Sequence, residues 1–217
     1  MEFMMTSLLT YAQHQFLAET TVLSELREFA LEHQYHYKLT QPLQTQFICF
    51  LLATMNAHRV IEVGTFLGYT TLAMAQVLPE NGEVVTCEHN ESWLNMGRPF
   101  WEKAGVDHKI SICHGDAAVS LQCLLDEGQA GTFDFIYIDA EKRDYKRYLE
   151  LSLQLISPTG VLAFDNILRV HHGDVVTAQT PATRALAEFN RHIVARKDLQ
   201  LTMLPMYDGL LLVRHLA

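Results

Sequence analysis

Several things are scarce in this chain. It has four cysteines, Cys49, Cys87, Cys113 and Cys123, with no CxxC pair and no paired cysteine–histidine spacing. They are expected as reduced thiols, not as disulfides or zinc ligands. Positive charge is also short, with 16 Lys and Arg against 25 Asp and Glu, a formal net charge of −9. No basic stretch offers a phosphate backbone a track, which argues against nucleic acid as a partner. An anionic ligand would need a local basic pocket. Long apolar runs are missing too: the longest, over 47–55, is far too short to cross a bilayer. No Lys or Arg precedes Arg27, so the start lacks the basic region of a secretory signal. The expectation is a cytoplasmic protein with no membrane role. There is no internal repeat, low-complexity tract or linker, and 217 residues at 49% hydrophobic content can close one core without staples.

What is present is alternation. From about 8 to 33 apolar residues recur at helical spacing, and a second helix is expected over 42–56, with Pro42 suited to its first turn. Short apolar strands then follow at 59–63, 83–87, 109–113, 133–138 and 160–164. Helices are expected between them, through Val77 and over 92–104, 117–126 and 145–155. Strands alternating with helices imply βαβ units and a mostly parallel sheet covered on both faces. The tail differs. After a helix over 183–195, strands at 199–205 and 209–214 are joined by a tight turn at Tyr207-Asp208-Gly209, and so short a connection permits only antiparallel pairing. The fold expected is α/β, a doubly wound, mostly parallel sheet in a single domain, with a helical cap over 1–57 and an α/β core over 58–217.

The segment Val60-Ile-Glu-Val-Gly64-Thr-Phe-Leu-Gly68-Tyr-Thr70 runs from a strand through a glycine-bearing turn into a helix. In open parallel sheets ligands sit just beyond the carboxyl ends of the strands, where such turns lie. Gly64 would let the backbone pass close to a ligand, Gly68 removes a side chain at the helix start, and Thr70 could add a hydroxyl there. Dinucleotide sites usually carry G-x-G-x-x-G, whereas glycines stand here only at 64 and 68. Glu88, ending the second strand, is placed to accept from ribose hydroxyls. The bland alternative is a close helix–strand contact beside a solvent-facing glutamate.

Strands four and five are apolar until an acid appears at the same edge: Ile136-Tyr-Ile-Asp139-Ala-Glu141-Lys142 and Leu162-Ala-Phe-Asp165-Asn166. Neighbouring parallel strands would bring Asp139, Asp165 and Asn166 within reach of one ion. Oxygen donors without Cys or His suit a hard cation, Mg²⁺, Mn²⁺ or Ca²⁺, and not zinc. Acids at strand ends also serve as loop caps. Lys142, three residues after Asp139, would have a lowered pKa beside a bound cation when partly desolvated, which makes it a candidate general base.

These residues resemble the cation-dependent O-methyltransferases, the family of catechol and caffeoyl-CoA O-methyltransferases. The resemblance runs from about Tyr11 to the C-terminus. Four segments carry it: Glu62-Val-Gly-Thr-Phe-Leu-Gly-Tyr-Thr70, Phe133-Asp-Phe-Ile-Tyr-Ile-Asp-Ala-Glu-Lys142, Asp165-Asn-Ile-Leu168 and Leu204-Pro-Met-Tyr-Asp-Gly209. It implies a class I methyltransferase sheet of seven strands whose last strand is antiparallel, and S-adenosylmethionine (SAM) as methyl donor. It implies that Glu62, Gly64, Thr65 and Thr70, with Phe66, Gly68 and Tyr69 in the same turn, surround the methionine end of the cofactor. Glu88 would take the ribose, Gly115, Asp116 and Ala117 would border the adenine, and Thr40 and Asp139 would complete the cofactor site. Asp139, Asp165 and Asn166 match the metal ligands, with Mg²⁺ foremost, and Lys142 matches the base. Lys38, Glu141, Lys142, Asn166 and Arg169 would face the substrate, a catechol or related phenol. A homodimer is also implied.

Three positions depart from the family pattern. Thr45 stands where many relatives have Gly, Arg169 replaces an aromatic residue that packs on the substrate ring, and Tyr207 replaces Gly before Asp208-Gly209. His171 and His172 in the adjoining loop raise a second, weaker metal reading. Two rival functions are an NAD-dependent oxidoreductase, disfavoured by the missing middle glycine, and a noncatalytic adenosyl-ligand sensor.

Overall fold

The computed structural model describes the backbone of residues 2–170 and 173–216. His171 and His172, and with them the second metal reading, lie outside the described residues. Three helices come first: α1 (Glu2–Phe16), α2 (Thr21–Leu31) and α3 (Pro42–Met55). The α/β alternation then runs β1 (Arg59–Val63), α4 (Tyr69–Val77), β2 (Glu83–Glu88), α5 (Glu91–Lys103), β3 (Ile110–His114), α6 (Ala117–Asp126), β4 (Phe133–Ile138), α7 (Tyr145–Leu155) and β5 (Ile156–Phe164). A small hairpin, β6 (Arg169–Val170) and β7 (Gly173–Asp174), precedes α8 (Pro181–Val194), β8 (Leu199–Leu204) and β9 (Leu210–His215).

The main sheet has seven strands in the order β3-β2-β1-β4-β5-β9-β8. β1 to β5 are parallel, and β9 lies antiparallel between β5 and β8. The terminal pair therefore closes the sheet as its short connection requires. β1 leads to β2 on one side and pairs with β4 on the other, so the strand order reverses at β1/β4 and a crevice opens above their carboxyl ends. Apolar side chains cover both faces of the sheet. One layer holds Ile61, Ile136, Leu149, Phe164 and Phe189, and the other Val60, Leu72, Trp101 and Tyr137. Leu23, Leu26 and Ala30 of α2 and Ile48 and Leu52 of α3 belong to the second layer. These two helices are thus part of the core.

Two departures from the sequence reading bear on the site; several other element ends shift by a residue or two, and α1 begins at Glu2. The helix expected over 8–33 is broken, because Thr20 leaves the helical conformation and accepts from the Leu23 amide at 3.3 Å as the N-cap of α2. The break frees Glu19 to accept from Tyr69 Oη at 2.6 Å and from Arg27 Nε at 2.9 Å. β5 begins at Ile156, not 160, since the strand continues through Pro158 and Gly160 with a register shift against β4 between Phe133 and Phe135. No helix among the described residues is long and apolar enough to cross a membrane.

Candidate active site

The crevice at the sheet's carboxyl edge is a cleft of about 840 Å³. Its wall includes Thr40, Gly64, Thr65, Phe66, Tyr69, Thr70, Glu88, Gly115, Asp116, Ala117 and Asp139 on one side of the expected assignment. Lys38, Glu141, Lys142, Asp165, Asn166 and Arg169 stand on the other. Glu62 and Gly68, expected at the cofactor, are not in that wall.

Gly64 has a reason the sequence did not suggest. At φ +101° its missing Cβ would stand 2.1 Å from the Asp139 carbonyl oxygen, so the turn after β1 is pressed against the end of β4. Its N–H donates to the Cys87 carbonyl at 3.0 Å, which ties the turn to β2 as well. Gly68, at φ +75°, is needed because Trp101 packs on it, 2.3 Å from where a Cβ would lie. Between them Phe66 adopts φ 52° and donates its N–H to Glu88 Oε2 at 2.9 Å. Glu88 Oε1 accepts from the His89 and Asn90 amides, each at 2.9 Å. Three backbone donors therefore hold a buried carboxylate at the cleft wall. Asp116 caps α6, accepting from the Ala118 amide at 2.8 Å.

Glu62 is 1% exposed and points beneath the turn. Its carboxyl accepts from the Thr71 hydroxyl and, at 2.7 Å, from Thr86, which in turn accepts from Thr65 at 2.6 Å. The Glu62 carboxyl thus orients the Thr65 hydroxyl from below. Burial pushes its pKa up to about 8, against the opposing effect of the two hydroxyl donors. The folded protein keeps this proton up to about pH 8, whereas an unfolded Glu releases it near the usual 4.5. The unfolded chain binds fewer protons across that window, so stability falls as pH rises through it, by up to ~1.4 kcal/mol per pH unit. Glu62→Gln is expected to flatten this slope in urea unfolding between pH 5 and pH 8. Equal slopes in the two proteins would remove Glu62 as its source.

The acidic end is held together by Lys142. Its Nζ donates to Asp139 Oδ1 at 2.7 Å, Asn166 Oδ1 at 2.6 Å and Tyr145 Oη at 2.8 Å. Tyr145 Oη is also fixed against the Asp165 carbonyl at 2.9 Å. Desolvation works to lower the lysine pKa, but the charges of Asp139 and Asp165 outweigh it, and the ammonium is held above the ordinary lysine range. The lowered value expected beside a bound cation is therefore not the state of these residues among themselves. Asp165, 3% exposed, does not bond Lys142. Its Oδ2 accepts from Gln44 at 2.7 Å and Tyr137 Oη at 2.5 Å, and its Oδ1 from the Asn166 amide at 2.6 Å. Burial and then the Asp139 charge raise its pKa to about 7.

Gln44 and Tyr137 were not anticipated from the sequence, because they act from the core face of α3 and from within β4, one residue before its end. Trp93, also unanticipated, lines the cleft beneath Lys38, whose Nζ lies 5.7 Å from its ring centroid. Glu141 caps the turn before α7 and accepts from Arg143 Nε at 3.0 Å. Exposed Arg169 pairs with Asp208. Of the departures from the pattern, Tyr207 adopts φ 50°, the region where glycine is at ease. Thr45 is buried with its hydroxyl unpartnered among the described residues.

Among the described residues no three His, Cys, Asp or Glu side chains are grouped as a metal site. The set here is two carboxylates and an amide. A hard cation nevertheless fits it, since Asp139 Oδ1 and Asn166 Oδ1 converge on a single positive centre, the Lys142 ammonium, with Asp165 alongside.

A doubly wound sheet, a glycine turn after β1, a carboxylate ending β2 and an antiparallel β9 define the class as SAM-dependent methyltransferase. Residues 13–216 match the family model described as O-methyltransferase, and the chain belongs to that family. It is 38% identical over 211 residues to a probable caffeoyl-CoA O-methyltransferase 1 of Dictyostelium discoideum, covering 95% of this chain and 91% of the relative. It is 32% identical to the caffeoyl-CoA O-methyltransferase of Eucalyptus gunnii, over 94% and 88% of the two chains. The Bacillus cereus O-methyltransferase solved in complex with SAH superposes with a TM-score of 0.85 at 28% identity, covering 95% of this chain and 96% of that one. Neither the nicotinamide enzyme nor the sensor is favoured by these relatives.

Proposed function

We propose that the chain transfers the SAM methyl group to one hydroxyl of a catechol-type small molecule, with a divalent cation, Mg²⁺ foremost, held by Asp139, Asp165 and Asn166. The observation that carries this is the convergence of Asp139 and Asn166 oxygens on one positive centre at the acceptor end of the cleft. A cation there would supply Lewis-acid chemistry that lowers the pKa of an acceptor hydroxyl. The protein's own residues do the rest. Glu88, with its backbone donors, would hold the ribose, and the turn from Gly64 to Thr70 would hold the methionine end, which orients the donor toward the acceptor end of the cleft. Gln44 and Tyr137 hold the Asp165 carboxyl in place from behind. Lys142 takes the acceptor proton at Nζ once the Asp139 charge that keeps it protonated is engaged elsewhere. Lys38, Glu141 and Arg169 rim the acceptor end and would set which phenol fits.

A panel of catechols incubated with SAM, with and without Mg²⁺ and read by mass spectrometry, tests the reading. A singly methylated product that disappears with EDTA is expected, while SAM binding by calorimetry persists. Full turnover in metal-free protein would remove the cation, and SAM binding with no methylated diol would remove the acceptor class.

A further inference from the structure

Cys87 and Cys113 are register partners in the parallel strands β2 and β3. Such partners project from the same face with Cα atoms about 4.8 Å apart, inside the span a disulfide bridges. Here both thiols are free, at facing positions of neighbouring strands. Their surroundings differ. Cys113 is half-buried on β3, the edge strand, whereas Cys87 is buried and reaches the wall of the cofactor cleft. A small oxidant can therefore meet Cys113 from outside while Cys87 waits within contact.

We propose that Cys87 and Cys113 are a peroxide-sensitive dithiol whose closure to a disulfide weakens SAM binding. The contact with Cys87 lowers the Cys113 thiol to about 7, which makes thiolate available near neutral pH. The same contact, reinforced by burial, raises Cys87, which stays a thiol. The Cys113 thiolate attacks one peroxide oxygen. The O–O bond breaks, the departing hydroxide takes a proton to become water, and Cys113 is left as sulfenic acid. The Cys87 sulfur then displaces that hydroxyl as a second water and forms the S–S bond. Two thiols lose two electrons and two protons, and one peroxide becomes two waters. By contrast, burial pushes the Cys49 thiol up to about 12, and Cys123 is exposed on α6.

The coupling follows from where the pair stands. The Cys87 carbonyl accepts the Gly64 amide at 3.0 Å, Glu88 is the next residue, and the Gly115 amide donates to the Glu88 carbonyl at 2.9 Å. A disulfide brings its Cβ atoms to roughly 3.8 Å, closer than the ~4.8 Å strand spacing. Closure therefore draws the ends of β2 and β3 together directly beneath the groups assigned to ribose and adenine. The half-buried Cys113 sulfur leaves the bridge open to thiol exchange, so the change is reversible by thiols.

Protein treated with hydrogen peroxide and digested without reductant is expected to yield one Cys87–Cys113 linked peptide, lighter by two hydrogens than its parts. SAM affinity by calorimetry should fall by about fivefold or more and return with dithiothreitol. Cys113→Ser, with Cys113→Ala as a second variant should serine unsettle the strand, keeps the reduced protein's affinity and loses the response. Cys123→Ser keeps both. The proposal rests on the SAM site assigned above, which binding by the reduced protein tests separately. Oxidation of Cys113 to sulfinic acid without a cross-link, or a linked protein that binds SAM as tightly as the reduced one, would overturn it.

Discussion

Asp139→Ala is expected to cost about a thousandfold in kcat, equivalent to several kcal/mol of stabilisation at the reacting atoms. Two roles vanish with that one carboxylate. It supplies an oxygen to the proposed cation, and at 2.7 Å it is the group whose charge keeps the Lys142 ammonium in place. Without it the hydrogen-bond partners left to Lys142 are Asn166 and Tyr145, both uncharged, and of the two acids only the Asp165 charge remains nearby. The backbone of Asp139 is anchored independently, its N–H donating to the Val63 carbonyl at 2.8 Å, so the sheet edge should survive the substitution. SAM affinity is accordingly expected to change far less than turnover, and Mg²⁺ binding by calorimetry to disappear. A variant that still titrates with Mg²⁺ and turns over within threefold of the parent would take Asp139 out of the ligand set.

The second large effect is expected at Gly64→Ala. Two separate costs add there: a side chain at φ +101°, and a methyl carbon 2.1 Å from the Asp139 carbonyl oxygen. Backbone strain and overpacking each cost about 1–3 kcal/mol, so a loss of ~2–6 kcal/mol is expected in chemical denaturation. That is a large share of a typical domain's stability. The atom that must yield belongs to the residue bearing the acidic site, so cofactor binding and turnover should fall together. A stability within about 1 kcal/mol of the parent would show that the turn has room to move.

Much of this architecture could be read from the residues. β1, β4 and α6 begin and end where the apolar pattern does, because a turn residue or an acid closes each, and α7 begins just after the acid Asp144. The acids at the tips of β4 and β5 were legible because adjacent parallel strands end at one edge. What escaped was the set of long-range partners. Gln44 reaches Asp165 across 121 positions of sequence, and nothing in the α3 pattern marks that glutamine as anything but a polar break in an apolar helix. Tyr137 is similarly hidden inside a strand whose alternating faces are both buried. For the same reason Glu62 could be assigned to the cofactor turn without revealing that its carboxyl points inward to Thr71 and Thr86. The break before α2 was available in principle, since Thr20 is a good N-cap, but the apolar spacing continues through it and conceals the interruption.

The attachment of residues 167–168 to the turn before β9 has a wider consequence. Ile167 and Leu168 donate their amides to Gly209 and Asp208 at 3.1 and 2.9 Å, while Arg169 reaches Asp208 from the same side. In the proposed reading, the Arg169 side of the acceptor rim is thus built from the last quarter of the polypeptide and shares that rim with Lys38 and Glu141, while the glycine turn and Glu88 lie far earlier in the chain. Exchange at 169, 207 and 208 would, on that reading, reshape this part of the rim without touching the turn from Gly64 to Thr70.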